Sequence, residues 1–275
     1  MSNNLFHWVL DNTTITSNRR GGLDISLPYV WRYNENFTHS FYVADSTFSG
    51  NRDFQAVVGG HFARVQLLRN TLQDNLCAGG GGLLAVRGME KQLLVSGNTI
   101  RRNTGDFMLQ VDVDSQSEIM GHVTAELTRN EVRFNEQPLA GRAARAAPSH
   151  VIAVRGVQRV NVTENLLGRN QMDYELLAGT HSSSLATELV ARRNWWGTRN
   201  PHEIRERIFD FDDWNSYAIA RFSPFLSRDS LDAPEEHDYE QEHQPDLDNL
   251  GGRIRNNFTL RSVTVMATRC ACVFV

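Results

Sequence analysis

Apolar and polar residues follow one sequence motif that recurs along most of the chain. Its form is Φ-x-Φ-x-x-Asn-x-Φ-x-x-Asn, where Φ is an apolar residue, and the stretch from Leu93 to Asn103 is a complete copy. Its inner part, Asn-x-Φ-x-x-Asn or a looser form of it, starts at Thr13, Ser46, Asn70, Asn98, Asn130, Asn165 and Asn194. Successive starts lie 24 to 35 residues apart. A recurring unit with inserts of variable length predicts a solenoid.

The apolar positions ahead of each asparagine alternate with polar ones, which predicts β-strands with their apolar side chains facing one way. Stacked turns of such strands lie about 4.8 Å apart. At that spacing an inward asparagine donates its side-chain amide to the carbonyl of the asparagine on the next turn, so a polar group inside the coil is satisfied. The pattern predicts a ladder of stacked amides formed by Asn70, Asn98, Asn130, Asn165 and Asn194.

Two classes of solenoid share this strand motif and differ in what connects the strands. A leucine-rich repeat returns every 20 to 29 residues, roughly, through a helical segment. In this chain the intervening segments at residues 84–87, 107–113 and 152–155 alternate like further strands. The sequence therefore predicts an all-β, right-handed parallel β-helix of about seven turns. A leucine-rich recognition arc is the alternative, and it would require helices between the strands.

A short capping helix is predicted where the repeats end. Asn200 is a suitable N-cap, Pro201 fits the first helical position and Glu203 is acidic in the first turn. Apolar residues at i, i+4 and i+7 would form one stripe along it, namely Ile204, Ile208 and Phe211. We expect this helix and a strand at 219–222 to close the last turn, with Trp195 or Trp196 over its apolar face.

The chain divides into three predicted regions. Residues 1–226 hold the β-helix and its cap, and residues 227–249 are acidic and poor in aliphatic side chains, which predicts a linker. Residues 250–275 are interpreted as the truncated start of a second module or a disordered tail. The first turn has no capping element before it, so its bare strand edges favour a piece of a longer protein.

Composition narrows the function classes. The chain has 275 residues and a formal net charge of −4, which predicts no general attraction to nucleic acid. The N-terminus has no basic stretch followed by an apolar one, so no signal peptide is predicted. No run reaches the roughly 20 apolar residues of a membrane span. Three cysteines, Cys77, Cys270 and Cys272, predict no complete set of disulfides.

The sequence at the end of the repeats resembles a known family. From residue 194 it reads Asn-Trp-Trp-Gly-Thr-x-Asn-Pro-x-x-Ile-x-x-Arg-Ile-x-Asp, and Ser-Pro-Phe-Leu follows at 223–226. This signature resembles the right-handed β-helix modules of the bark beetle or anakonda family of large arthropod cell-surface proteins. The resemblance implies a multidomain membrane protein of tricellular junctions with its repeats outside the cell. Residues 266–275 depart from the family pattern.

One outward face carries charges that merit a site hypothesis. If Arg87, Asp112 and Arg155 occupy matching strands, they stack one turn apart, and alternation places Asp114 outside as well. Such a face suits an anionic sugar or a calcium ion, whereas a charge ladder on a solvated surface is the favoured interpretation. No catalytic residue, metal site or cofactor is predicted, because the histidines lack ligand spacing and no phosphate-binding glycine loop is present.

Taken together, these patterns and the resemblance predict a non-enzymatic extracellular module of a membrane-anchored protein that organises cell junctions. Its expected partners are other cell-surface or junction proteins and glycans. Four sequons mark candidate glycosylation sites at Asn12, Asn36, Asn161 and Asn257. The alternative function is a carbohydrate-active β-helix enzyme, that is a polysaccharide lyase, hydrolase or epimerase, which only the face around Asp112 supports.

Overall fold

The structure is a computed structural model, and it describes residues 7–26, 39–59, 63–77, 81–87, 92–112, 124–138, 148–155, 160–179, 188–210, 213, 217–238 and 241. The chain divides into two compact units, Met1–Asp238 and Tyr239–Val275. Of the second unit, Gln241 alone lies among the described residues, so the predicted module or tail at 250–275 falls outside them.

The first unit is built from short strands and a single helix within the described residues. In chain order these are β1 (His7–Asp11), β2 (Thr14–Thr16), β3 (Leu23–Ser26), β4 (His39–Ala44), β5 (Thr47–Ser49), β6 (Arg52–Phe54), β7 (Ala56–Gly59), β8 (Ala63–Leu68), β9 (Thr71–Gln73), β10 (Leu76–Cys77), β11 (Leu84–Arg87), β12 (Gln92–Ser96), β13 (Thr99–Arg101), β14 (Phe107–Asp112), β15 (Thr124–Thr128), β16 (Glu131–Arg133), β17 (His150–Arg155), β18 (Val160–Thr163), β19 (Leu166–Gly168), β20 (Tyr174–Ala178), β21 (Glu188–Val190), α1 (Pro201–Glu206), β22 (Ile208–Phe209), β23 (Ile219–Arg221), β24 (Phe225–Leu226) and β25 (Glu235–Glu236).

Three long parallel sheets contain most of these strands. The first sheet has the order β1-β4-β8-β12-β15-β18-β21-β23, the second β2-β5-β9-β13-β16-β19, and the third β3-β7-β11-β14-β17-β20-β22. The chain passes from the first sheet to the second and then to the third before it starts the next turn. The predicted parallel β-helix is therefore confirmed, and the leucine-rich arc is excluded because strands occupy the places where its helices would stand.

Apolar side chains stack in register inside the coil. Val65 lies beside Leu93 and Leu67 beside Val95 on neighbouring strands, and each of the four is at most 3% exposed. The column in the second sheet contains Phe48, Leu72, Ile100, Val132 and Leu167. Burial of apolar surface stabilises the coil by about 25 cal/mol per Å², and the period of two in the sequence brings the same columns inward on every turn.

The turns between sheets use left-handed backbone. The residue just before a ladder position has positive φ, as at Arg69 (+54°), Arg129 (+57°) and Arg193 (+57°), and glycine takes this role at Gly97 (+68°). This conformation costs a residue other than glycine about 1 kcal/mol. The buried hydrogen bonds of the following asparagine stabilise the same corner, so they offset that cost.

The last turn is closed by α1 and by Trp196. Asn200 caps the helix by accepting a hydrogen bond from the backbone N–H of His202 at 3.0 Å. Trp196 is fully buried, and its neighbour Trp195 bridges to Leu166, which places Trp196 at the end of the apolar column of the second sheet. Of the two tryptophans that the sequence offered for this place, Trp196 is therefore the one inside.

The helix is shorter than the sequence predicted. It ends at Glu206, and Ile208 lies in β22, which pairs with β20 and extends the third sheet. The backbone carbonyl of Arg207 accepts a hydrogen bond from the N–H of Glu175 at 2.8 Å, so sheet pairing replaces the next helical turn. Ile204 and Ile208 are both buried as predicted, whereas Phe211 lies outside the described residues.

The close approach of two successive turns explains the glycine in the Trp-Trp-Gly signature at the end of the repeats. Gly168 and Gly197 have φ values of +120° and +84°. A Cβ added to Gly168 would lie 2.7 Å from the Cα of Gly197, so the backbones of two successive turns approach too closely for any side chain. Only glycine satisfies both conditions at this corner.

Residues 227–238, here named the acidic strap, belong to the first unit. The sequence predicted a linker from residue 227, but Phe225–Leu226 pairs with Glu235–Glu236 in an antiparallel ladder. The pairing of opposite charges accounts for the difference. The strap forms four arginine–carboxylate pairs with the body of the coil: Arg133–Asp229, Arg193–Glu235, Arg199–Glu236 and Arg205–Asp238.

Candidate functional site

The predicted amide ladder runs along the inside of the coil. Asn98 Oδ1 accepts hydrogen bonds from the backbone N–H and the Nδ2 of Asn70, at 2.9 and 3.0 Å. Asn98 Nδ2 donates to Asn130 Oδ1 at 2.9 Å and to the carbonyl of Leu67 at 2.8 Å. The same contacts continue on later turns, and the rungs are Asn70, Asn98, Asn130, Asn165 and Asn194. Each rung is at most 3% exposed, so its polar atoms are satisfied inside the protein.

A second ladder runs parallel to the first. Its rungs are Asn18, Asn51, Asn75, Asn103, Asn135 and Asn170. Our ladder prediction named only the first asparagine of each motif copy, although the second asparagine of the same motif was the available signal. The second ladder ends differently, because Asn170 Nδ2 donates to a carboxylate, Glu175 Oε2, at 2.9 Å.

Glu175 is the most strongly perturbed carboxyl group of the described coil. It is 3% exposed, and burial raises its pKa to about 7, while the hydrogen bond from Asn170 and the guanidinium of Arg207 act in the opposite direction. The Nη1 atom of Arg207 lies 3.4 Å from Glu175 Oε1. The Glu175 carboxyl group therefore contacts both the end of the ladder and Arg207 of the cap region, and its pKa is about 7.

Charged side chains pair along the outer corners. Arg69 Nε and Nη2 donate to the two oxygens of Asp45 at 2.8 and 2.6 Å, and Arg102 contacts Asp74 in the same way. The hydrogen bond from Arg69 lowers the pKa of Asp45 and raises the pKa of Arg69 itself. This two-pronged geometry requires a planar guanidinium, so arginine fits these corners better than lysine. The pairs are exposed and add little stability.

The charged face predicted from the sequence is in register in the third sheet. Arg87 pairs with Asp112, and Asp112 pairs with Arg155, on β11, β14 and β17. The closest approach of Arg87 Nε to Asp112 Oδ2 is 3.9 Å, and Gln110 Nε2 donates to the same oxygen at 2.8 Å. Asp114 lies outside the described residues.

This face has the chemistry of alternating charges on stacked strands. Within the described ranges, no group of three or more His, Cys, Asp or Glu side chains is placed to hold a metal ion. The outward-pointing positions next to these charges are buried. They form a column of Ala85, Gln110, Ala153 and Leu177, each at most 8% exposed. The open surface of this part of the sheet is therefore narrower than the alternation predicted.

His150 and Cys77 are also buried titratable groups of the described residues. His150 stacks on Phe107 with ring centroids 5.7 Å apart, and burial lowers its pKa to about 4. Burial also raises the pKa of the Cys77 thiol to about 12, so this cysteine stays protonated and unreactive at neutral pH.

The structure places two of the four candidate sequons. Asn12 is exposed on a left-handed corner of the first turn. Asn161 lies between the buried Val160 and Val162 on β18 and so points outward, half-buried, beside Glu126 of the neighbouring strand. Asn36 and Asn257 lie outside the described residues. Asn12 and Asn161 are thus both on the outer surface.

The described part of the chain shows no helix with the length and apolar sequence that crossing a bilayer requires.

Comparison with known proteins gives a clear relative. The chain is 40% identical over 276 residues to the protein named "Protein bark beetle" of Drosophila melanogaster, and the match covers 94% of this chain. The chain spans 9% of the length of that relative. No protein-family model matches the chain, and no solved structure matches it.

Proposed function

The chain belongs to the bark beetle family, and from that premise we propose that it is a non-enzymatic module of a large cell-surface protein that organises cell junctions. The observation that carries this proposal is the 40% identity over 94% of the chain. We place the module on the extracellular side of the junction, with other cell-surface or junction proteins and glycans as its partners.

The mechanism we propose is display of a surface by a stiff scaffold. Corners of the two ladders are always five residues apart, as at Asn70 and Asn75 or Asn130 and Asn135, while whole turns differ in length from 24 to 35 residues. The constant part sets the stack and the variable part forms the connections between strands. Sequence changes in the connections can therefore alter partner contacts and leave the stack intact.

The enzyme alternative lacks a specific observation in its favour. A β-helix hydrolase or lyase needs carboxylates, or a carboxylate cluster with a base, on adjacent turns. Among the described residues, the register neighbours of Asp112 are the two arginines Arg87 and Arg155. Its own oxygen is held by Gln110. This environment suits a charge ladder on a solvated face.

Glycosylation is part of the proposal, because an extracellular module meets the modifying enzymes. Asn161 and Asn12 point outward and carry the required Thr two residues later, at Thr163 and Thr14. The chain should be produced in insect cells with a secretion signal and analysed by mass before and after glycosidase treatment. Glycosidase treatment is expected to decrease the mass of the secreted chain. The variants Asn161→Gln and Asn12→Gln should each make this decrease smaller. A secreted chain of unmodified mass would contradict this part of the proposal.

The junction role is tested in the intact protein. Removal of residues 7–238 from full-length protein in epithelial cells is expected to abolish its enrichment at cell junctions while it still reaches the cell surface. Asp112→Asn is the matched control and is expected to leave enrichment unchanged, because display does not need this carboxylate. Normal enrichment after the removal would contradict the junction role. Loss of junction enrichment in a folded Asp112→Asn protein would favour the enzyme alternative.

A further inference from the structure

Four arginines of the coil contact the acidic strap, and we name them the arginine track. They lie on β16, at the corner just before the last rung of the first ladder, between Trp196 and α1, and in α1 itself. In sequence order they pair with successive carboxylates of the strap: Arg133 with Asp229, Arg193 with Glu235, Arg199 with Glu236 and Arg205 with Asp238. One extended chain therefore follows all four guanidinium groups in turn.

The coil fixes the positions of these arginines. Arg133 lies on β16, which pairs with β13 on one side and β19 on the other, and its side chain is 14% exposed. Arg193 occupies a left-handed corner directly before the buried rung Asn194. Arg205 lies in α1, which Asn200 caps. The backbone of the track is set by the coil and its cap, so a ligand would meet it largely preorganised.

The strap is held less firmly than the arginines beneath it. The side chains of Asp229, Glu235 and Glu236 are 28 to 31% exposed, whereas that of Asp238 is 5% exposed. Within the described residues, its strand pairing is the two-residue ladder with Phe225–Leu226. An exposed ion pair contributes less free energy than the ordering of one residue costs. The strap before Asp238 is therefore a segment that opens locally while the coil stays folded.

The strap also leaves two donors of the track unused. The Nε atoms of Arg133 and Arg193 are buried and make no hydrogen bond within the described residues. Glu131 Oε1 lies 3.4 Å from the first and Glu164 Oε1 3.3 Å from the second. A buried donor without an acceptor is costly. An anion with three terminal oxygens can accept from Nε and Nη of one guanidinium together, which the strap carboxylates do not do at these two arginines.

We propose that the arginine track is a binding site for a sulfated glycan and that the acidic strap is its built-in competitor. The glycan displaces residues 227–236, and its sulfate groups pair with Arg133, Arg193 and Arg199. Asp238 stays on Arg205 and keeps the strap attached. This inference rests on the extracellular placement in the proposed function, because sulfated glycans are polymers of the cell exterior.

The covalent attachment of the strap decides which anion can replace it. A tethered segment competes at an effective concentration in the millimolar range. A separate acidic peptide has the same carboxylate chemistry, so it does not displace the strap at lower concentrations. A sulfated glycan carries a higher density of fixed negative charge along one extended chain. It therefore fits a line of guanidinium groups that a single polypeptide segment covers, and it gains contacts that the strap lacks.

The first test measures binding of a heparin octasaccharide to the isolated chain by titration calorimetry. A strap variant removes the competing charges through Asp229→Asn, Glu235→Gln and Glu236→Gln. A control variant changes the net charge equally at exposed carboxylates outside the strap, through Asp11→Asn, Asp53→Asn and Glu206→Gln. We expect the strap variant to bind at least about tenfold more tightly than wild type, and the control to stay within about twofold of wild type. Equal affinities of the two variants would overturn the proposal.

The second test asks whether the gain needs the track. Arg133→Gln and Arg199→Gln, introduced together into the strap variant, are expected to remove the tenfold gain. Circular dichroism checks that this variant is folded. If it is not, Arg199→Gln alone decides, because the Arg199 side chain is 68% exposed. A gain that persists in a folded variant without these arginines would overturn the proposal.

The third test observes displacement of the strap in the wild-type chain. Saturating heparin octasaccharide should speed amide hydrogen exchange in residues 227–236 about tenfold and leave exchange in β15 and β18 unchanged. A peptide that copies residues 227–238, at the same concentration, should leave the strap unchanged. Unaltered exchange with heparin, or equal acceleration by the peptide, would overturn the proposal. These measurements use the isolated chain, so their failure is distinct from a failure of junction enrichment, which is measured in cells.

Discussion

Asn170 Nδ2 lies 2.9 Å from Glu175 Oε2, so a ladder of neutral amides ends on a buried carboxyl group. The first ladder ends on Asn194, whose Nδ2 donates to the backbone carbonyls of Val162 and Ala191. The two ladders therefore share their polarity and differ in the group that terminates them. One terminus is indifferent to pH, and the other is not.

Replacement of Glu175 by Gln should change how stability depends on pH. Burial raises the folded-state pKa of Glu175 from 4.5 to about 7, so the folded chain binds this proton more tightly than the unfolded chain. The resulting stabilisation is complete below pH 4.5 and is lost as the pH rises through about 7, a change of about 3 kcal/mol. Urea unfolding from pH 4.5 to 8 should therefore show Glu175→Gln gaining stability relative to wild type. Parallel pH profiles would refute the assignment.

His150 should act in the opposite direction. Burial lowers its folded-state pKa from 6.5 to about 4, so the folded chain binds this proton less tightly. Stability should be lost as the pH falls from 6.5 towards 4, again by about 3 kcal/mol. His150→Phe keeps an aromatic ring against Phe107 and removes the titration, so its stability relative to wild type should rise below pH 6. A constant difference between pH 4 and 7 would contradict this.

An inward and an outward asparagine should respond differently to the same substitution. Asn98→Asp removes the donor to Asn130 and buries a carboxyl group against acceptors, which should cost about 3 kcal/mol or more in the free energy of unfolding. Asn161→Asp, on the outer face beside Glu126, should cost less than about 1 kcal/mol. Chemical denaturation of both bacterially produced variants makes the comparison. Equal losses would mean that the ladder does not stabilise the coil.

The acidic strap should be held mainly by its buried charge. Asp238 has a 5% exposed side chain and pairs with Arg205, so Asp238→Asn should cost about 2 kcal/mol. Glu236 pairs with Arg199, whose side chain is 68% exposed, so Glu236→Gln should cost less than about 1 kcal/mol. Limited proteolysis should cut the strap faster in the first variant than in the second. A reversed order would show that the exposed pairs hold the strap.

The predictable part of this fold is the part with a period. Strands, corners and the register of Arg87 with Asp112 follow from alternation and the spacing of asparagines, because each turn repeats the last. The acidic strap was not predictable, because its carboxylates pair with arginines that are distant in the sequence. Asp229, for example, pairs with Arg133. The early end of α1 was missed for a similar reason: Ile208 fits a helical stripe equally well, and the pairing of β22 with β20 decides the outcome.

The most direct test of the stacked-amide coil is hydrogen exchange of the asparagine side chains. In a sample labelled with ¹⁵N at asparagine, the Nδ2 hydrogens of the buried rungs, such as Asn98, Asn103 and Asn130, should exchange with D₂O at least about a hundredfold more slowly than those of Asn161. Equal exchange rates for rung and surface amides would contradict the account, because the inward amides would then be bonded to water and not to one another.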